Sequence, residues 1–200
     1  MNDGSDQRAI GPLISRVIAG TKSQDERVSG LATQEDDMAG SKLEDLFYDT
    51  LKDVYYAERQ ILKSLPKMAR GAQAAELKAA FQKHQAETEG QVERLKQVFE
   101  IVGKRAVGKT CPAIDGIIEE GAEILDEYKG SAALDAGLLA AAQAVEHYEI
   151  TRYGTLKRWA TVLGLTEAAT LLDATLQEEY NTDESLTALA DSLVNEKAMA

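Results

Sequence analysis

The chain has 200 residues, 44% of them hydrophobic and 28% charged, enough for one domain with a full core and no covalent staples. Its 22 basic and 34 acidic side chains give a net charge of −12, which argues against nucleic acid and anionic membranes as partners. One cysteine, Cys111, excludes an internal disulfide and a multi-cysteine zinc site; with no bilayer-length apolar run and no secretion signal, a reduced, cytoplasmic protein is expected.

Residues 1–40 are rich in Gly, Ser, Asp and Gln and hold no aromatic residue. They read as a flexible N-terminal tail, separate from a domain over 41–200. Inside the tail, Ile10 to Ile18 (IGPLISRVI) is an apolar island. It is either a sticky patch in a disordered arm or a docking segment for a partner or a neighbouring subunit. From Ser41 onward the pattern is helical throughout. Ser41 and Glu44 have capping-box spacing and open a first helix over about 42–69, bent or ended near Pro66. A second helix runs over about 74–102 and stops at Gly103. A basic linker, Lys104 to Thr110, leads to a short helix over about 112–128, with Pro112 in its first turn. Gly130 breaks the chain, and Ser131 is expected to cap a third long helix to residue 163. Thr166 is expected to cap the fourth, over about 167–195. Four long helices and one short one define an all-α antiparallel four-helix bundle with an extra helix between the second and third long ones.

Each bundle helix buries a stripe at spacings of three and four. The first stripe is Phe47, Leu51, Val54, Glu58, Ile61, Leu65. On the second helix, His84, Thr88 and Gln91 interrupt a line from Leu77 to Val98, and Glu87 lies at its edge. On the third, Glu146 and Glu149 stand between Ala142 and Tyr153. On the fourth, Glu179 and Asp183 stand between Leu176 and Leu186. All these interruptions lie near the middle of their helices, so an antiparallel bundle brings them to one level. A single unpaired buried carboxylate costs several kcal/mol, and a whole domain is stable by only about 5–15 kcal/mol. Six carboxylates therefore need protons or cations. No Lys or Arg falls in the stripes, and two divalent cations inside a four-helix bundle are a known solution. Three residues stay open. His147 lies off the third stripe and is either an ordinary satisfied histidine, a group behind the ligands, or a ligand. Asp53 lies beside the first stripe as a surface or supporting acid. Glu178 competes with Glu179 for the inward position, with Glu179 favoured.

The segments LKDVYYAERQIL, KHQAETEGQVERL, AAAQAVEHYEITRYGTL and LQEEYNTDESLTALA resemble the YciF/YciE family of bacterial ferritin-like proteins. The resemblance covers about residues 41–195 in the family's motif order. It implies a ferritin-like bundle, a homodimer, a dinuclear iron-type site and an association with bacterial stress responses. The family's motif positions coincide with Glu58, His84, Glu87, Glu146, Glu149, Glu179 and Asp183. The wider superfamily pairs Glu-x-x-His on two helices. Here the second helix reads His84-x-x-Glu87 and the fourth Glu179-x-x-x-Asp183. So oxygen-rich a donor set makes manganese a competitor to iron.

Three functions are expected from this reading. The first is a dinuclear metalloprotein, redox-active toward peroxide or dioxygen. The second is a metal-sequestering protein without turnover. The third is an interaction protein recruited through residues 10–18. A hydrolase has no support. The chain has no Gly-x-Ser-x-Gly elbow, Cys111 has no recognisable histidine partner, and GKRAVG at 103–108 lacks phosphate-loop spacing. The short helix has an apolar side (Ile114, Ile117, Ile118, Ile124, Leu125) that must pack on its own bundle or on a second copy.

Overall fold

The computed structural model describes residues 42–199. The expected tail, its Ile10–Ile18 island and the Ser41 cap lie outside the described residues. Spacings of three and four along the rest become α1 (Leu43–Gly71), α2 (Ala75–Ile101), α3 (Pro112–Glu127), α4 (Leu134–Val162) and α5 (Thr166–Leu189). The chain then passes through a π-helical turn, Ala190–Val194, into a last turn, α6 (Asn195–Ala198). No strand forms among the described residues. Gly103 and Gly164 end α2 and α4 at φ of +65° and +75°, backbone that side-chain-bearing residues resist.

Four long helices form an antiparallel bundle. On α4 and α5 the pairs Gln143–Asp183 and Lys157–Asp173 show one residue number rising as the other falls. Gln91–Glu179 and Arg94–Thr175 show the same between α2 and α5. The short α1–α2 connection is held from across the bundle. Asp135 at the start of α4 accepts the backbone N–H groups of Gln73 and Ala74, at 2.8 and 2.6 Å. A carboxylate there satisfies orphan donors at a helix N-terminus and complements its dipole.

Several boundary signals resolve differently from the sequence reading. At the start of α1, Asp45 rather than Glu44 accepts the backbone N–H of Lys42, at 2.9 Å. Pro66 does not end α1. Buried Leu65 and Ala69 flank it, and packing carries the helix on to Gly71. Ser131 does not cap α4; its hydroxyl has no partner, and the helix starts three residues later, at Leu134. Thr166 is the first residue of α5 rather than its cap.

The core has two apolar halves. One gathers Ile61, Leu65, Phe81, Leu139, Ala142 and Leu186; the other gathers Phe47, Leu51, Leu95, Phe99, Leu156 and Leu172. On every long helix the residues between the halves are polar: Glu58, His84 to Gln91, Glu146 and Glu149, and Glu179 to Thr182. A polar layer therefore crosses the bundle at mid-height. Helix α3 lies against α1 and α4, and its apolar side packs on the first core half. A Cβ on Gly137 of α4 would stand 2.6 Å from Ile124 Cγ2, so glycine there permits the close approach. On that side Ile114 is buried, while Ile117, Ile118, Ile124 and Leu125 pack on the chain's own core half-buried. No helix among the described residues is long and apolar enough to cross a membrane.

Candidate metal centre

Four side chains from three helices meet in the polar layer. His84 of α2, Glu146 and Glu149 of α4 and Glu179 of α5 each offer a ligand atom, and these atoms lie within 4.8 Å of one another. All four are buried. The i, i+3 spacing of Glu146 and Glu149 puts both carboxylates on one face of α4. His84 Nε2 stands 3.4 Å from Glu146 Oε1 and 3.9 Å from Glu149 Oε2. Glu58 faces the layer from α1, fully buried, and its Oε1 accepts the Tyr153 hydroxyl.

Many of these atoms have no hydrogen-bond partner. They are both ring nitrogens of His84, both oxygens of Glu149, and Oε2 of Glu58, Glu146 and Glu179. Each unsatisfied buried polar atom costs about 1–3 kcal/mol. Burial pushes the Glu58 carboxyl up to about 7, against the pull of the Tyr153 hydrogen bond. Burial likewise pushes Glu146 up to about 8. Glu149 and Glu179 are raised well above the usual carboxylate range, first by burial and then by the charges of Glu58 and Glu146 respectively. Burial lowers His84 to about 4, so its imidazole is neutral at pH 7. Protons or cations must fill this layer. One neutral imidazole with open carboxylate oxygens suits a hard or borderline divalent ion.

The remaining candidates lie outside the four-residue group. Glu87 is half-buried; one oxygen pairs with Lys83 at 2.5 Å, while Oε2 is buried without a partner. Asp183 is half-buried; its Oδ1 accepts Gln143 Nε2 at 3.2 Å, and its Oδ2 stands 3.4 Å from His147 Nε2. Both carry charge that raises Glu146, which sets them at the rim of the cluster. His147 is exposed and is not part of the group. Asp53 is half-buried and apart from it, its carboxyl raised by burial. Glu178 is half-buried and pairs with Arg94 instead of joining the group.

Two further residues support the cluster, and one of them, Arg94, escapes a reading of stripes alone. Gln91 donates to Glu179 Oε1 at 2.5 Å and to Glu178 Oε2 at 3.1 Å. Arg94 pairs with Glu178 and donates to Thr175 Oγ1 at 3.0 Å, bringing a cation within influence of Glu58. Gln91 is visible as a polar break in the α2 stripe. Arg94 lies one turn further along and reaches in with a long side chain.

An antiparallel four-helix bundle with inward carboxylates at mid-height is the ferritin-like architecture. The chain belongs to the DUF892 family, described as a domain of unknown function, whose model matches residues 42–199. Protein YciF of Escherichia coli (strain K12) is 45% identical over 157 residues, which cover 78% of this chain and 95% of that protein. The crystal structure of that organism's stress protein YciF matches with a TM-score of 0.75 at 44% identity, covering 78% of this chain and 99% of the other. A Rhodopseudomonas palustris protein described as structural matches at 0.72 and 46% identity, covering 74% and 94%. A Xanthomonas campestris structure at 21% identity and a TM-score of 0.65, covering 79% and 97%, shows likeness of fold alone.

Proposed function

We propose that this chain binds a pair of divalent ions, iron or manganese, in its polar layer, and that the loaded protein is redox-active toward peroxide or dioxygen in a bacterial stress response. The observation that carries the reading is the meeting of His84, Glu146, Glu149 and Glu179 with their buried atoms unpartnered. Glu58 joins them from α1, oriented by Tyr153, and Glu87 and Asp183 contribute from the rim. When bound, the ions supply redox equivalents and Lewis acidity. The residues hold them, orient them through Gln91 and Tyr153, and keep bulk water out by burial. The stress-protein description of the relative YciF supports the context.

A second reading, metal holding without turnover, draws on the structural description of the R. palustris relative. One assay separates the two. The full chain loaded with Fe(II) or Mn(II) is given hydrogen peroxide or dioxygen, and consumption is compared with equal free metal. Faster consumption, lost in Glu149→Ala, is the expected result. A rate equal to free metal, or slower, leaves the sequestering function.

A further inference from the structure

An apolar cavity of about 20 Å³ opens on the polar layer, and its wall includes His84 and Glu146. All four long helices line it. Eight of its twelve lining residues are apolar, among them Ile61, Leu65, Phe81 and Val145. The volume suffices for about one water-sized molecule. A second cavity of about 60 Å³ lies between α1, α3 and α4, and it shares Ser64, Met68 and Val145 with the first. Its outer wall includes exposed Lys67 and Ala122. The two cavities therefore adjoin, one on the α1–α3 side and the other beside His84.

We propose that this pair of cavities is an entry and holding site for dioxygen, an uncharged apolar diatomic, leading to the His84–Glu146 side of the cluster. The proposal deepens the metal reading above and rests on it for its purpose. The walls select by polarity. Peroxide has two hydroxyl groups that need donors and acceptors, and it would leave its hydrogen bonds with water to enter. Apart from His84 and Glu146, the inner wall offers two polar side chains. Ser64 Oγ already donates to the Ile61 carbonyl at 3.0 Å, which leaves the buried, unpartnered Thr182 Oγ1. Dioxygen has no hydrogen bonds to surrender, so apolar walls admit it without that loss. A charged reductant or an anion is excluded by the same walls. The other core half has methyl groups at Leu156 and Leu172 that are as buried as those of Ile61 and Leu186, and these line neither cavity.

Dioxygen itself is the probe, through its paramagnetism. The full chain is treated with chelator so that no paramagnetic ion contributes, and methyl proton relaxation is measured under rising oxygen pressure. The expected result is enhancement at Ile61, Val145 and Leu186 at least several-fold greater than at Leu156 and Leu172. In Ala142→Leu, which fills the inner cavity, the difference between the two halves should shrink toward zero. Equal enhancement in both halves of the wild-type core overturns the proposal, and that comparison needs no variant to fold. Failure of the metal reading shows separately, as absence of bound metal, whatever the methyl groups report.

Discussion

Tyr153 on α4 donates its phenolic hydrogen to Oε1 of Glu58 on α1, with both side chains buried. The bond crosses between two helices and fixes the orientation of one carboxylate in the polar layer. Tyr153→Phe strands Oε1 beside an Oε2 that already lacks a partner. Urea unfolding with chelator present should show a loss of about 1–3 kcal/mol. Metal affinity, read by competition with a chromophoric chelator, should fall about 10–100-fold. Unchanged affinity would mean that the Tyr153 bond does not position Glu58 for binding.

Stability of the metal-free chain should fall as pH rises. Glu58 and Glu146, raised from 4.5 to about 7 and about 8, keep protons that the unfolded chain has released. Each such group therefore loses stabilisation between pH 4.5 and its own raised value. His84, lowered from 6.5 to about 4, acts in the opposite sense: its contribution is present above 6.5 and lost as pH falls through about 4. Four raised carboxylates outweigh one imidazole, so calorimetry with chelator should show Tm declining from about pH 5 to about pH 8. Added Mn(II) should reverse that slope, because the ion displaces the protons it competes with.

Glu149→Gln separates the cost of the layer from its use. The amide keeps the shape and removes a charge that burial disfavours. At about pH 8 the metal-free variant should be more stable than wild type by about 1–4 kcal/mol, by the precedent of buried charges replaced with neutral groups. Added Fe(II) or Mn(II) should raise the variant's Tm less than that of wild type. A destabilised variant whose Tm still rises with metal as wild type does would contradict both halves.

Gln91 and Arg94 should differ in their effects. Gln91→Leu removes the donor to Glu179 Oε1 in the buried layer and should weaken metal binding by about tenfold or more. Arg94→Gln breaks a pair whose side chains are 23% and 31% exposed and should cost under about 1 kcal/mol in unfolding. Isothermal titration and urea melts of the two variants check the contrast.

The bundle is legible in the sequence because glycines and prolines punctuate long runs of three-and-four spacing. The polar layer is legible because Glu58, His84, Glu146, Glu149 and Glu179 each break an apolar line at mid-helix, and burial follows the line. Glu87, at a stripe edge, and Asp183, within its stripe, fit the same spacing but are half-buried, and Lys83 and Gln143 engage them. Periodicity sets a direction within tens of degrees and does not rank neighbours there. Asp135 is not legible as a cap, because it serves a helix start 61 residues away in sequence. Arg94 is missed for a related reason: its Cα lies off the stripe, and its length brings the charge inward.

The central claim is that the buried layer holds metal. Elemental analysis by mass spectrometry on the full chain, purified without chelators, tests it most directly beside a Glu146→Ala, Glu149→Ala double variant. About two iron or manganese atoms per chain, lost in the variant, is the predicted result, as in other carboxylate-lined bundles. No metal in the wild type, together with no rise in Tm on adding Fe(II) or Mn(II), would contradict the account and leave protons as the occupants of the layer.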